Sequence, residues 1–270
     1  MTVARTASWV SIDPPIAFQI VVRRLFTPKW ILIHIGVALL IVLMMNLGFW
    51  QLRRLDEKKS FNALLRSHTN APIVQLSEVP LQSTKEYEWR RVSVAGTYVM
   101  DKAVTIINRS QNGTAGYDSL VPLQLEGGKI LFVNRGFIPL ATPVSPAPTG
   151  SVTVVGYIRA PQTRSGLGPV DSSDVNNTEF QRFDIELIGK RITNASVIPV
   201  FLQRISEEPA STSQWPATVE LPTLDNGPHL SYAVQWFFFC AVAATAWVVV
   251  VRRRLRQSDI SEDSPVHTSF

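Results

Sequence analysis

A histidine, a short aromatic series and a set of arginines are the side chains here best able to do chemistry. His229, Tyr232, Trp236 and Phe239 follow one another at intervals of three and four residues, so a helix beginning at the histidine presents them on one face. A neutral imidazole ligates metals, and aromatic rings offer a surface to a flat apolar ring system. The same residues suit a plainer role, with His229 preceding or capping the helix and Tyr232 and Trp236 in an interfacial aromatic belt. Both readings stand on the sequence. The second group is Arg53, Arg54, Arg90, Arg91 and Arg135, with Trp50 and Gln51 beside the first pair. Guanidinium groups present planar forks to carboxylates, whether on a ligand, a partner or the chain itself, or to lipid phosphates.

Other chemistries are excluded or weakened. Cys240 is the single cysteine, so this chain alone builds no disulfide framework, structural zinc site or two-cysteine copper site. Neither a G-x-S-x-G elbow, an H-E-x-x-H helix nor a phosphate-binding glycine loop is present. Apart from His229 at the edge of the second apolar run described next, His68 is the only histidine between the two runs, and a hydrolase would need it in a cleft beside a serine and a carboxylate.

The elements that position these residues begin with two apolar runs, residues 31–50 and 230–251. About twenty apolar residues suffice for a helix to cross a bilayer. Overall the 270 residues are 46% hydrophobic with a mean hydropathy of only +0.11, because apolar residues concentrate in those runs and the middle reads as an ordinary domain. The expected organisation is a cytoplasmic leader (1–29), a transmembrane helix (30–51), an extracytoplasmic domain (52–229) ending in a proline-rich tether (206–229), a second transmembrane helix (230–251) and a basic cytoplasmic tail (252–270). His34, early in the first run, is separated from His229 by roughly 25 Å of helix and cannot share a ligand with it.

The net charge of +5 comes largely from basic residues flanking the runs, which fits a lipid bilayer and not nucleic acid. Arg252, Arg253, Arg254 and Arg256 follow the second run directly, which places both termini in the cytoplasm; Arg53, Arg54, Lys58 and Lys59 oppose that orientation. No cleavage signature follows the first run, so it should remain as an anchor. Residues 16–25 could lie along the inner membrane surface. A bacterial plasma membrane is the expected location.

Between the runs, residues 51–68 keep helical spacing without Gly or Pro, which predicts that the first helix continues as a stalk. From Trp89 the pattern alternates. Strands are expected around residues 90–99, 103–110, 117–125, 129–140, 151–160 and 196–205, with turns at Asn112–Gly113 and Gly127–Gly128. Residues 139–150, with four prolines, are a connection, 163–178 a long loop, and 183–192 a short amphipathic helix. The fold class is therefore a membrane protein whose two transmembrane helices bracket an α+β, mainly antiparallel β extracytoplasmic domain, as a sheet or an open barrel.

Four stretches in this order carry a family resemblance. They are Gly48-Phe-Trp50-Gln51-Leu-Arg-Arg54, Arg90-Arg91-Val92-Ser-Val94-Ala-Gly96-Thr-Tyr98, Val133-Asn134-Arg135-Gly136-Phe137-Ile138-Pro139, and His229-Leu-Ser-Tyr232-Ala233-Val-Gln235-Trp236. Their order between two spans resembles the Surfeit locus protein 1 family of cytochrome c oxidase assembly factors, from about Leu47 to Trp247. Phe137 departs from the tryptophan usual there but keeps an aromatic. The resemblance implies help in building an aa3-type oxidase, by binding and not catalysis, with haem a handled transiently. On that reading His229 would be the ligand to haem iron and Tyr232 and Trp236 would pack on the macrocycle. Trp50, Gln51, Arg53, Arg54, Arg90, Arg91 and Arg135 would meet haem propionates or the oxidase core subunit. Further implied partners are the haem a synthesis enzyme and a respiratory supercomplex. Two alternatives remain: a membrane-anchored scaffold or accessory subunit without haem, and a membrane-anchored hydrolase.

Overall fold

The computed structural model describes residues 26–80, 86–166, 168–211 and 213–262, with side chains as far as Arg256. The expected surface segment at 16–25, most of the leader and the end of the tail lie outside these residues. The chain divides into two compact units. One combines the segments up to Ser60 and from Asp225 onward; the other is Phe61–Leu224.

The first unit consists of helical segments. Helix α1 runs Pro28–Asn70, so the unbroken helical pattern after Trp50 does continue as helix, and its residues 61–70 belong to the second unit. Helix α3 runs His229–Glu262. Both are long and apolar enough to cross a membrane. Large apolar side chains stay exposed around them, Leu39 at 63% and Phe238 at 61%, which an aqueous surface would penalise.

The second unit is an eight-stranded sheet: β1 (Val74–Gln75), β2 (Arg91–Tyr98), β3 (Val104–Gln111), β4 (Thr114–Leu125), β5 (Ile130–Pro139), β6 (Ser151–Arg159), β7 (Glu179–Phe180) and β8 (Val197–Glu208). Its order is β1-β2-β6-β8-β5-β4-β3-β7, and β2 also pairs with β4, which closes β2, β6, β8, β5 and β4 into a ring. Local signals made the hairpins: Asn112–Gly113 joins β3 to β4, and Glu126–Gly128 joins β4 to β5.

The expectation of a mainly antiparallel sheet needs correction, because the sheet is mixed. β1–β2, β3–β7 and, at the centre, β5–β8 are parallel. β8 enters between β5 and β6 only after the chain has passed through β6, β7 and the short helix α2 (Ile185–Gly189), the crossover that a parallel neighbour requires.

Alternation along the strands sorts the core into two layers. Inside the ring lie Val92, Val94, Val121, Leu123, Leu131, Val133, Val152, Val154, Val200 and Leu202, drawn from all five strands. Outside it, Leu120, Ile130, Phe132 and Phe201 meet Phe183, Ile185 and Ile188 on and before α2. Asp184 caps α2 by accepting from the Leu187 amide at 3.0 Å. β8 continues to Glu208, into what the sequence suggested was tether. Further on, Ala217 exchanges two backbone hydrogen bonds with Phe137, so part of the returning segment is strapped to β5.

Candidate functional site

Within the helical unit, α1 turns a stripe to its partner made of buried Gly48 and half-buried Trp30, His34, Val37, Ile41, Met44 and Gln51. α3 answers with Ala233, Trp236, Cys240, Ala243, Trp247 and Val251. Steps of three and four, alternating throughout on α1 and as far as Trp247 on α3, are the 3.5-residue period of a packed helix seam. Contacts climb one helix as they descend the other. His34 meets the Trp247 ring edge-on at 4.7 Å, the Cys240 thiol points at the Ile41 carbonyl at 3.6 Å, and Phe49 meets Phe237 at 5.3 Å. Next along the seam, Gln51 meets His229. His34 is thus a packing residue against Trp30 and Trp247, at the opposite end from His229.

His229 sits on the first turn of α3, just after Gly227 and Pro228. Its Nδ1 lies 2.8 Å from Gln51 Oε1. An amide oxygen only accepts, so Nδ1 carries the proton and the neutral ring bears its lone pair on Nε2. Gly227 has φ +63°, and a Cβ there would stand 3.3 Å from His229 Nε2 and Cδ2. The missing side chain keeps that edge of the imidazole open. Tyr232 is exposed, and Trp236 is half-buried with its ring edge-on to Phe239 at 6.1 Å. One oriented nitrogen ligand beside aromatic rings fits iron in a flat macrocycle approached from one side. Among the described residues no cluster of three or more His, Cys, Asp or Glu side chains could hold a bare metal ion.

The arginines are divided between the units. Arg53 and Arg54 are exposed on α1, where Arg54 pairs with Glu57 at 2.6 Å, and Trp50 is exposed beside them. In the sheet unit Arg90 is half-buried, and Arg91 donates through Nε and Nη2 to the Ala71 carbonyl. Arg135 differs from the expectation of an outward contact. It is in phase with Leu131 and Val133, points inside the ring and is completely buried. Its Nη2 is 3.0 Å from Glu207 Oε1, its Nη1 donates to the Ser145 carbonyl, and its plane lies over the Tyr98 ring. A guanidinium enclosed in this way serves the domain and presents nothing to an external ligand.

Glu207, Arg204 and Tyr98 complete that network and were not anticipated. Glu207 also accepts from Arg204 Nη1 at 2.7 Å and from the Tyr98 hydroxyl at 2.9 Å. Burial alone would raise the Glu207 pKa, but Arg135, Arg204 and the Tyr98 hydrogen bond hold it below the usual carboxylate range. Burial, then the neighbouring Glu207 charge, pushes Tyr98 far up. The signal for a network was legible, since a charge in the apolar run of β5 demands a partner. His68 places its Nδ1 2.6 Å from the backbone carbonyl of Glu88.

Comparison with known proteins gives a consistent family match. The SURF1 family profile matches residues 38–241, from within α1 to within α3. A SURF1-like protein of Mycobacterium bovis is 26% identical over 241 residues, covering 81% of this chain and 82% of the relative. One from Monosiga brevicollis is 25% identical, covering 84% of this chain and 90% of its own length, and one from Rickettsia bellii is also 25% identical, with 82% and 90% covered.

Proposed function

Because this chain belongs to the SURF1 family, a family of oxidase assembly factors, we propose that it assists assembly of an aa3-type cytochrome c oxidase by holding haem a as cargo. The anchors are α1 and α3, set in a bacterial plasma membrane with both termini cytoplasmic and the sheet unit outside. Arg252, Arg253, Arg254 and Arg256 at the inner end of α3 support that orientation.

The observation that carries the haem reading is the 2.8 Å hydrogen bond from His229 Nδ1 to Gln51. It fixes both the tautomer and the ring plane, the arrangement that makes a histidine a prepared ligand. His229 Nε2 would hold the iron, Tyr232 and Trp236 would flank the macrocycle and Arg53 and Arg54 would meet its propionates, while Arg90 and Arg91 would serve acidic loops of the oxidase core subunit. His34, at the other end of the seam, would not join His229 in holding the same group. Transfer is by binding and release, with no covalent step.

The test is an absorption spectrum and pyridine haemochrome assay on protein purified from cells that make haem a. Wild type should carry haem a, and His229→Ala should lose it while keeping its circular dichroism. A folded wild type without haem would leave a membrane-anchored scaffold that stabilises the oxidase by contact alone.

A further inference from the structure

On the outer face of the ring, away from the residues assigned to haem, Arg109 holds a partly exposed guanidinium at the wall of a cavity. β3 carries a bulge between Ile106 and Arg109 against β4, and Asn108 within it has φ +59°, held by a hydrogen bond from Asn108 Nδ2 to Gln181 Oε1 at 2.7 Å. A bulge re-aims the side chain that follows it. Here it turns Arg109 over the Phe183 ring, 5.0 Å from its centre, leaving the side chain 28% exposed. The hydrogen bond recorded for its guanidinium is a long one, Nη2 to the Gln181 carbonyl at 3.4 Å. Nε is buried without a hydrogen bond and stands 4.0 Å from Asp118 Oδ2, beyond donating distance. The Nε atoms of Arg135 and Arg204 are buried without a hydrogen bond as well, but a terminal nitrogen of each reaches Glu207 within 3.0 Å. A partly exposed guanidinium whose terminal nitrogens meet so few protein oxygens can take a further acceptor.

Beside Arg109 is a cavity of about 190 Å³. Its other polar walls are largely committed. Arg159 spends Nε on Glu88 and Nη1 on Gln203, and stacks on Trp89 at 3.6 Å. Asn134 donates to Asp118 and accepts from the Gly136 amide. Phe137, Phe183 and Phe201 supply apolar surface. Ser110 and Gln162 add polar groups to the wall, and the Arg109 guanidinium offers a planar fork, which matches two coplanar oxygens. Asp118 on the same wall opposes a dianion, and the rings accept a carbon body.

We propose that this cavity binds a small monocarboxylate with an apolar or aromatic body, its carboxylate on the Arg109 guanidinium. The site uses no residue of the haem reading and stands or falls separately.

Benzoate titrated into the full-length protein in lipid nanodiscs, followed by calorimetry, is the test. Saturable one-site binding is expected, weakened at least tenfold in Arg109→Gln and also weakened in Arg109→Lys, which keeps the charge but loses the fork. Benzamide, the neutral isostere, and inorganic phosphate should bind wild type at least tenfold more weakly than benzoate. The proposal is overturned if wild type shows no saturable benzoate binding, if benzamide or phosphate binds as tightly, or if Arg109→Gln binds benzoate unchanged. Should Arg109→Gln fail to fold, Arg109→Lys and the three-ligand comparison on wild type decide.

Discussion

Arg135 on β5 and Glu207 on β8 face each other at 3.0 Å inside the ring, their side chains 0% and 1% exposed. Arg204 reaches the same carboxylate oxygen at 2.7 Å, so one carboxylate holds two buried guanidinium groups, with Tyr98 on its second oxygen. Such a cluster offers little net gain over apolar packing, but removing one member strands the others in a low-dielectric interior. Glu207→Ala should therefore destabilise the folded chain by about 3–5 kcal/mol. A large drop in thermal midpoint by circular dichroism checks this, and a drop of only a degree or two would mean that water reaches the arginines.

Two carboxylates should give the stability profile arms of opposite sign. Burial raises the Asp118 pKa, against the pull of Arg109 and Asn134, so on acidification the native state takes up that proton before the unfolded state does and gains stability. Glu207 is shifted the other way. Its contribution is present above its unfolded pKa and is lost as pH falls through the lower folded value. Urea midpoints of the full chain in micelles should thus rise slightly as pH falls from neutrality towards the ordinary carboxylate range, then fall steeply below it. Asp118→Asn should abolish the rise and keep the fall.

The closeness of α1 and α3 at Gly48 is a third checkable feature. A Cβ at Gly48 would lie 2.7 Å from Phe237 Cε1, so a larger residue must push the helices apart or displace the ring. Gly48→Leu should cost about 1–3 kcal/mol through overpacking. Because Cys240 is the chain's single cysteine and its thiol lies against the Ile41 carbonyl, Ile41→Cys supplies a reporter pair. A short thiol-reactive linker should join that pair efficiently, and Gly48→Leu should reduce the yield. Equal yields would show that Phe237 simply moves aside.

How far these features were legible depends on whether their cause is local. The apolar runs, the helical spacing beyond Trp50, the Asn112–Gly113 and Gly127–Gly128 turns and the short helix after Asp184 all follow from neighbouring residues, and all are present. Closure of the ring is different. β8 sits between β5 and β6, and β2 bridges to β4, so each pairing joins segments tens of residues apart with no sequence mark of register. The same limit hid Glu207, which lies in a polar stretch that reads as tether until β8 carries it to face Arg135. The expected outward contact for Arg135 overlooked that it is in phase with Leu131 and Val133, and a guanidinium near Asn134 and Gly136 invited that functional reading. The Gln51–His229 pair could be named residue by residue, but their meeting depends on the register of two helices.

That meeting yields the last prediction, which rests on the haem reading. With Gln51 Oε1 accepting from Nδ1, the His229 lone pair is confined to Nε2, on the edge that Gly227 leaves open. Gln51→Leu keeps much of the side-chain volume but removes the acceptor. The imidazole is then free to exchange tautomers and rotate, and loss of such a supporting hydrogen bond typically weakens a metal–histidine interaction by about 10–100-fold. Haem titrations should show that weakening in Gln51→Leu, while Gln51→Glu, which retains an acceptor, binds at least as tightly as Gln51→Leu and close to wild type. Gly227→Ala should weaken binding as well, because its Cβ crowds Nε2 and its backbone sits at φ +63°, which alanine disfavours. Identical affinities for wild type, Gln51→Leu and Gly227→Ala, with His229→Ala still inactive, would mean that the histidine binds through Nδ1 or after the helix pair has opened.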